Sequence, residues 1–224
     1  MSFRHIMVVA VALAAASLPG IHPTAIAAEQ DLSVNARMLL AARNADSVAL
    51  ARELKQGAAA DARNRLGETA LLIALKKNEL GIANTMLVAG TDVNLAAVNG
   101  VTPLMAAAYA GQVEMVTALL ARGANVNAVD RLKKNAMTYA AGEGHAAVVQ
   151  LLLAKGVDPN AIYNNDLTAL MWAAGSGKTA AIKVLLAAGA RTDLRDNRGL
   201  TALDMARDGK HDETAKVLAS AGRG

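Results

Sequence analysis

The segment of this chain that most resembles a chemical motif is Gly175-Ser176-Gly177-Lys178-Thr179. It matches the end of a phosphate-binding loop, in which backbone amides hold the phosphate and the lysine balances its charge. The full motif needs a glycine five positions before Gly177, and that position is Trp172. It also needs a preceding strand, whereas this segment lies between two predicted helices. We interpret it as a turn in which Thr179 begins a helix, and we keep a nucleotide-binding protein or enzyme as the alternative.

Other residue types that support catalysis or metal binding are sparse. The chain has no cysteine, which excludes disulfide bonds and thiolate ligands. Beyond the N-terminal segment the only histidines are His145 and His211. Each lies alone, whereas a zinc site needs several ligands at fixed spacing. No serine lies in the glycine-flanked pattern of a nucleophile elbow. We therefore predict that the protein is not an enzyme and has no catalytic residues, cofactor or metal site.

Side chains that carry oxygen recur at regular positions and raise the question of calcium. They are Asp92, Asn94, Asn127, Asp158 and Asn160. The three asparagines lie 33 residues apart, and none of the loops has the dense alternation of oxygen ligands that calcium requires. We interpret these residues as turn residues whose short polar side chains satisfy backbone groups.

The same interval of 33 residues governs the whole chain. It separates the threonines Thr69, Thr102, Thr168 and Thr201, with Asn135 in the missing slot, and the glycines Gly57, Gly90, Gly123, Gly156, Gly189 and Gly222. A repeat of this length is typical of a solenoid, in which each unit packs against its neighbours. We divide the chain into copies one to six: 32–64, 65–97, 98–130, 131–163, 164–196 and 197–224.

Copy three shows what each unit contains. Thr102 is a good N-cap and Pro103 suits the first helical position, so a short helix begins there. A second helix is predicted from Val113 to Arg122, with Gly123 as its left-handed stop. The residues that follow, up to Arg131, are turn-like. Each unit is therefore predicted to be two antiparallel helices and a protruding finger.

At several positions the copies resemble the ankyrin repeat. The matching stretches are Gly67-Glu68-Thr69-Ala70-Leu71, Gly100 to Leu104, Leu167 to Leu170 and Gly199 to Leu203, followed in each copy by a leucine-rich helix, a glycine and Asp or Asn residues. The resemblance implies an all-α solenoid of stacked helix-turn-helix units that works as a non-catalytic protein-protein interaction module. The usual histidine of the family is absent, and its positions hold Leu72, Met105, Thr138, Met171 and Asp204.

The resemblance also implies where a partner binds, on the concave face formed by the fingertips and the exposed side of the first helices. The predicted contact residues are Arg65, Lys76, Lys77, Tyr109, Arg131, Lys134, Trp172 and Arg198. This face is basic with apolar patches and suits a protein segment with acidic and hydrophobic side chains. For Trp172, as for Tyr139 and Tyr163, packing and binding roles both stay open. We expect no binding to nucleic acid, and a monomer.

The N-terminal residues have the pattern of a secretory signal peptide. Arg4 precedes an apolar run from Ile6 to Leu18, and Ala25-Ile26-Ala27 provides small residues for cleavage after Ala27 or Ala28. The run is too short to span a bilayer, so no membrane insertion is expected after its removal. We predict a signal peptide at 1–28, a repeat domain at 29–224 and export to a bacterial periplasm. A secreted effector that binds a host protein is the alternative.

Overall fold

The computed structural model describes residues 32–222, which form twelve α-helices. In chain order they are α1 (Val34–Arg43), α2 (Ser47–Lys55), α3 (Ala70–Lys76), α4 (Leu80–Val88), α5 (Pro103–Tyr109), α6 (Val113–Ala121), α7 (Ala136–Glu143), α8 (Ala146–Ala154), α9 (Ala169–Gly175), α10 (Thr179–Ala187), α11 (Ala202–Asp208) and α12 (Asp212–Ala221). A short 3-10 turn covers Asn164–Asp166. The predicted signal peptide, 1–28, lies outside the described residues.

Each copy contains two helices that pack against each other, and the first helices of all six copies stack in one continuous row. Most of the second helices contact the next second helix in the same way. Within 32–222 the only strand-like pairing is the isolated bridge between Arg63 and Thr69. The structure therefore confirms the predicted all-α solenoid.

The repeating Thr and Asn residues begin the first helices, as predicted. Thr102 has an extended backbone, and its hydroxyl accepts a hydrogen bond from the amide of Met105 at 3.3 Å. Asn135 does the same for the amide of Thr138 at 3.0 Å. In copies three to six the side chain in the position of the missing histidine bonds back to the cap: the Thr138 hydroxyl, for example, accepts from the Asn135 amide at 3.0 Å. These caps are closed on both sides without a histidine, whereas Leu72 in copy two has no group that could accept such a bond.

The core is built almost entirely from alanine, leucine, valine, isoleucine and methionine. In α3 the six residues from Ala70 to Leu75 are all buried, because this helix packs against α1 and α5 as well as α4. Small side chains allow such close stacking. No aromatic side chain of residues 32–222 lies fully in the core.

Copy one contains an ion pair that the sequence pattern did not reveal. Glu53, in α2, is only 1% exposed although it carries a charge. Its carboxylate bonds to Arg37 at 2.8 Å and to Arg52 at 2.9 Å. Burial raises the pKa of Glu53, but the hydrogen bonds from the two arginines outweigh it, so the pKa lies below its ordinary value.

Paired carboxylates such as Glu53 make the stability of the fold depend on pH. Glu53, Glu68 and Asp196 all have lowered pKa values in the folded chain, so the unfolded chain binds protons more readily. Their contribution is complete above the ordinary carboxylate pKa and is lost as the pH falls below it. We expect the free energy of unfolding, measured by urea denaturation, to be clearly smaller at about pH 3 than at about pH 7. Glu53→Gln should be less stable at the higher pH and should lose less on acidification; an unchanged slope contradicts this assignment.

Among residues 32–222, no helix has the length and apolar character needed to cross a membrane.

Candidate partner-binding surface

Four clefts follow one another along the first helices and fingertips, and we call them together the groove. Their volumes are about 380, 310, 170 and 370 Å³ in chain order. Lys76 lines both of the first two clefts, and Trp172 lines both of the last two. The groove thus consists of two pairs of connected clefts, which together extend from copy one to copy six.

Six of the eight predicted contact residues line this groove. They are Lys76, Lys77, Tyr109, Lys134, Trp172 and Arg198. Arg65 and Arg131 are exposed at the fingertips but line none of the four clefts. Lys76 pairs with Glu68 at 2.7 Å and Arg198 with Asp196 at 2.8 Å, so part of the predicted positive charge is balanced within the chain.

The middle of the groove holds all four aromatic side chains of residues 32–222, Tyr109, Tyr139, Tyr163 and Trp172, which we call the aromatic cluster. The rings of Tyr109 and Tyr139 meet edge to face, with centroids 5.9 Å apart. The ammonium of Lys134 lies 4.2 Å from the centroid of the Trp172 ring and 5.6 Å from that of Tyr139. Lys134 thus joins the two halves of the cluster by cation-π contacts.

The finger of copy four is held to this cluster by Asp130. Its carboxylate accepts hydrogen bonds from the Tyr139 hydroxyl at 2.6 Å and from the amides of Leu132 and Lys134 at 2.8 and 2.9 Å. Burial raises the pKa of Tyr139, and the bond to Asp130 raises it further. Tyr139 therefore stays protonated and remains a donor at neutral pH.

Asn135 replaces the usual threonine cap and contacts the cluster as well. Its side-chain amide donates to the Tyr163 hydroxyl at 3.1 Å while its side-chain oxygen caps α7. A threonine hydroxyl is too short to serve both partners. The break in the threonine series thus coincides with the aromatic cluster.

Two helical glycines leave space beside these rings. Gly142 and Gly175 lie one turn after Tyr139 and Trp172, on the same helix face. A methyl group added at either glycine would meet nothing within 4 Å, and neither has a positive φ. Since glycine inside a helix costs about 0.5–1 kcal/mol relative to alanine, no steric need explains them. The surface beside both glycines is therefore open.

Sequence reasoning did not assign Tyr139, Tyr163 or Asp130 to the site. The signal for Tyr139 was available, since it lies 33 residues before Trp172 and so at the same place in its copy. Asp130 and Tyr163 both come at the last position of a copy, where the repeat pattern gives no hint of a contact. Only the folded chain brings them to the cluster.

The Gly175 to Thr179 segment is a turn between helices, as predicted. Gly175 ends α9 and Thr179 begins α10. The Lys178 side chain covers Gly144, where an added methyl would lie 2.9 Å from Lys178 Cδ. The Thr179 hydroxyl bonds to that of Thr214 at 2.9 Å. The amides of Gly177, Lys178 and Thr179, which would hold a phosphate, already donate to carbonyls of the same turn and of α9.

The histidines and the recurrent Asp and Asn residues also have structural partners. His145 Nε2 lies 2.9 Å from the Tyr109 carbonyl oxygen, and His211 Nε2 lies 3.1 Å from that of Gly175. Asp92 accepts from the Asn94 amide at 2.8 Å, and Asp158 from the Asn160 amide at 2.8 Å. The predicted turn roles are thus confirmed. In the described part of the chain, no group of three or more acidic or histidine side chains is arranged to hold a metal.

Comparison with protein families completes this description. The family described as "Ankyrin repeats (3 copies)" matches residues 38–130, 79–163 and 137–223. The chain belongs to the ankyrin-repeat family. Ankyrin repeats are generally non-catalytic modules for protein-protein interaction, and their partners are proteins. No curated protein sequence matches the chain significantly.

The ankyrin finger of copy four carries a strained residue. Lys133 has a φ of +59°, whereas the same position in copies two, three and six holds Gly67, Gly100 and Gly199. A left-handed backbone costs a residue with a Cβ about 1–2 kcal/mol. Glycine avoids this cost but loses more conformational entropy on folding, so the net gain from replacing lysine by glycine is smaller.

We therefore expect Lys133→Gly to raise the free energy of unfolding by about 0.5–1 kcal/mol in urea denaturation. Lys55→Gly, in the last turn of α2, is the matched control and should lower the free energy of unfolding by a similar amount. A destabilised Lys133→Gly variant would show that the lysine side chain supports the finger.

Proposed function

We propose that this ankyrin-repeat chain is an exported, non-catalytic binding module that holds a partner protein in its groove, with the aromatic cluster as the centre of contact. The observation that carries the proposal is the placement of all four aromatic side chains of residues 32–222 on this one surface. None of them is fully buried, although Tyr139 packs against the edge of the core. Their concentration serves binding better than packing.

The energetics of protein interfaces support this choice. Tyrosine and tryptophan are enriched among the residues whose truncation weakens a complex most. Tyr109 is 55% exposed and keeps a large apolar area for a partner to cover. The protein is proposed to act as a monomer with one such groove.

Co-purification of the tagged mature chain from its native source tests this proposal. Tyr109→Ala and Trp172→Ala should each weaken partner binding at least about 10-fold, since such aromatic anchors contribute 2 kcal/mol or more. Val88→Ala is the control, because Val88 is 84% exposed on α4, away from the groove. Circular dichroism must show that both aromatic variants stay folded. Equal partner recovery by all three variants would refute the proposed site.

The proposed location is the bacterial periplasm, and its support is the signal-peptide pattern at 1–28. N-terminal sequencing of the mature protein tests it. A chain that begins at Ala28 or Glu29 agrees with export, and one that still begins at Met1 contradicts it. Recovery of the mature chain from the medium instead of the envelope would favour an effector that binds a host protein.

A further inference from the structure

The fingers of neighbouring copies are joined by a repeated backbone hydrogen bond. In each case the amide of the first residue of a copy donates to the carbonyl of the second residue of the preceding copy. The bonds are Val98 to Leu66 at 2.8 Å, Arg131 to Asn99 at 3.0 Å and Asn197 to Asn165 at 3.1 Å. The equivalent bond from Arg65 to Ser33 is absent because Ser33 caps α1 and no finger precedes it. Between two fingers, within the described residues, the bond that does not form is that from Asn164 to Leu132. We call this place the finger break.

The backbone on the copy-five side of the finger break is irregular. The 3-10 turn Asn164–Asp166 replaces the regular finger, and Asn165 and Asp166 both have left-handed φ values of about +60°. The cleft of about 170 Å³ opens at this point, between Leu132 and Lys134 on one side and Tyr163 and Trp172 on the other. The finger break is thus part of the aromatic end of the groove.

We propose that the finger break is the specificity site for the partner, and that it takes an extended segment carrying a carboxylate next to an apolar side chain. This inference rests on the proposed function, which it makes more specific. Three features of the break support it: its charge, its exposed apolar side chains and its unpaired backbone groups.

The charge around the break is positive and available. Lys134 is held over the Trp172 ring, but no carboxylate of the described residues lies within ion-pair distance of its ammonium. Arg131 and Lys133 also have no ion pair among residues 32–222, and both are exposed. The carboxylates on these two segments are Asp166 in the 3-10 turn and Asp130, which is buried and already bonded to Tyr139 and two finger amides. A partner carboxylate would therefore meet a local excess of positive charge. It could accept a charge-assisted hydrogen bond from the Lys134 ammonium.

The apolar and backbone groups favour an extended segment. Leu132 and Ile162 are each 62% exposed on the two sides of the break, and Leu132 also lines the cleft. The Leu132 carbonyl and the Asn164 amide have no hydrogen-bond partner within the described residues. An extended chain can pair its own backbone with such groups and place alternate side chains in pockets. A helix has no free backbone groups for this purpose.

Selection from a displayed library of random dodecapeptides tests the inference. On the wild-type chain, we expect selected peptides to be enriched in Asp or Glu adjacent to Leu, Ile, Val or Phe. Their affinity for Lys134→Met should fall about 10-fold or more, because a hydrogen bond to a charged group contributes about 1.5–3 kcal/mol. Lys183→Met is the matched control, since it removes an exposed lysine from α10, and binding to it should be unchanged.

The outcomes separate the two proposals. Peptides that need Trp172 but lack an acidic residue, or bind Lys134→Met equally well, contradict this inference and leave the proposed function standing. A selection without any Trp172-dependent peptide contradicts both. If the chain self-associates in sedimentation and Leu132→Asp abolishes that association, a second copy covers the break and the inference is wrong.

Discussion

Leu104→Ala should lower the free energy of unfolding by about 2–5 kcal/mol, the range for removing a buried leucine side chain. Leu104 is fully buried in α5. This helix packs against the first helices of both neighbouring copies, so a cavity there weakens two interfaces of the stack. Because the copies of a solenoid contact only their neighbours and are stabilised in part by those interfaces, a defect in copy three affects the copies on both sides.

Urea denaturation followed by circular dichroism measures this effect. Val88→Ala is the control on the solvent side of α4 and should change the free energy of unfolding by no more than about 0.5 kcal/mol. If Leu104→Ala changed it by less than about 1 kcal/mol, the stacked row of first helices would not be the main source of stability.

Asp130→Ala should lower the free energy of unfolding by about 2–3 kcal/mol, because buried groups that lose a hydrogen-bond partner each cost about 1–3 kcal/mol. Asp130 is only 5% exposed, and its carboxylate serves the Tyr139 hydroxyl and two finger amides. Water replaces part of this bonding at the exposed fingertip, which keeps the loss below the full sum. The variant should also displace Tyr139 and Lys134 and so weaken partner binding.

Two milder variants separate the roles of Asp130. Asp130→Asn keeps an oxygen for the finger amides, as Asn64 does in copy one for Leu66 and Glu68, and should cost less than about 1 kcal/mol. Tyr139→Phe removes only the hydroxyl bond and should cost about 1 kcal/mol. Denaturation curves for the three variants should therefore rank Asp130→Ala as the least stable. If Asp130→Asn were equally unstable, the negative charge and not the finger geometry would be decisive.

Most of the fold could be predicted from the 33-residue period. Thr102 and its equivalents could be predicted as caps because an N-cap needs only one side-chain oxygen close in sequence. Gly123, with a φ of +80°, could be predicted as a helix stop for the same local reason, although α6 ends one residue earlier than expected, with Arg122 as its C-cap. The turn roles of Asn94 and Asn160 followed from the period as well.

The aromatic cluster could be predicted only in part, because its contacts cross between copies. The resemblance to the ankyrin repeat pointed to Tyr109, Lys134 and Trp172, but no local rule brings Asp130 or Tyr163 to the same cluster. The burial of Glu53 depends on two arginines that approach from different positions of copy one. The finger break depends on a missing backbone bond, which leaves no trace in residue types beyond the loss of glycine at Lys133 and Asp166.

Site-specific photocrosslinking in the native cell is the most direct test of the groove as the partner-binding surface. A benzoylphenylalanine at Ala110 or Ser176 lies in the second or fourth cleft, and the same residue at Val88 or Thr117 lies on exposed second-helix surface. We predict a crosslinked adduct with another protein from the two groove positions and none from the two controls. Adducts formed equally from Val88 or Thr117, or from those positions alone, would contradict it.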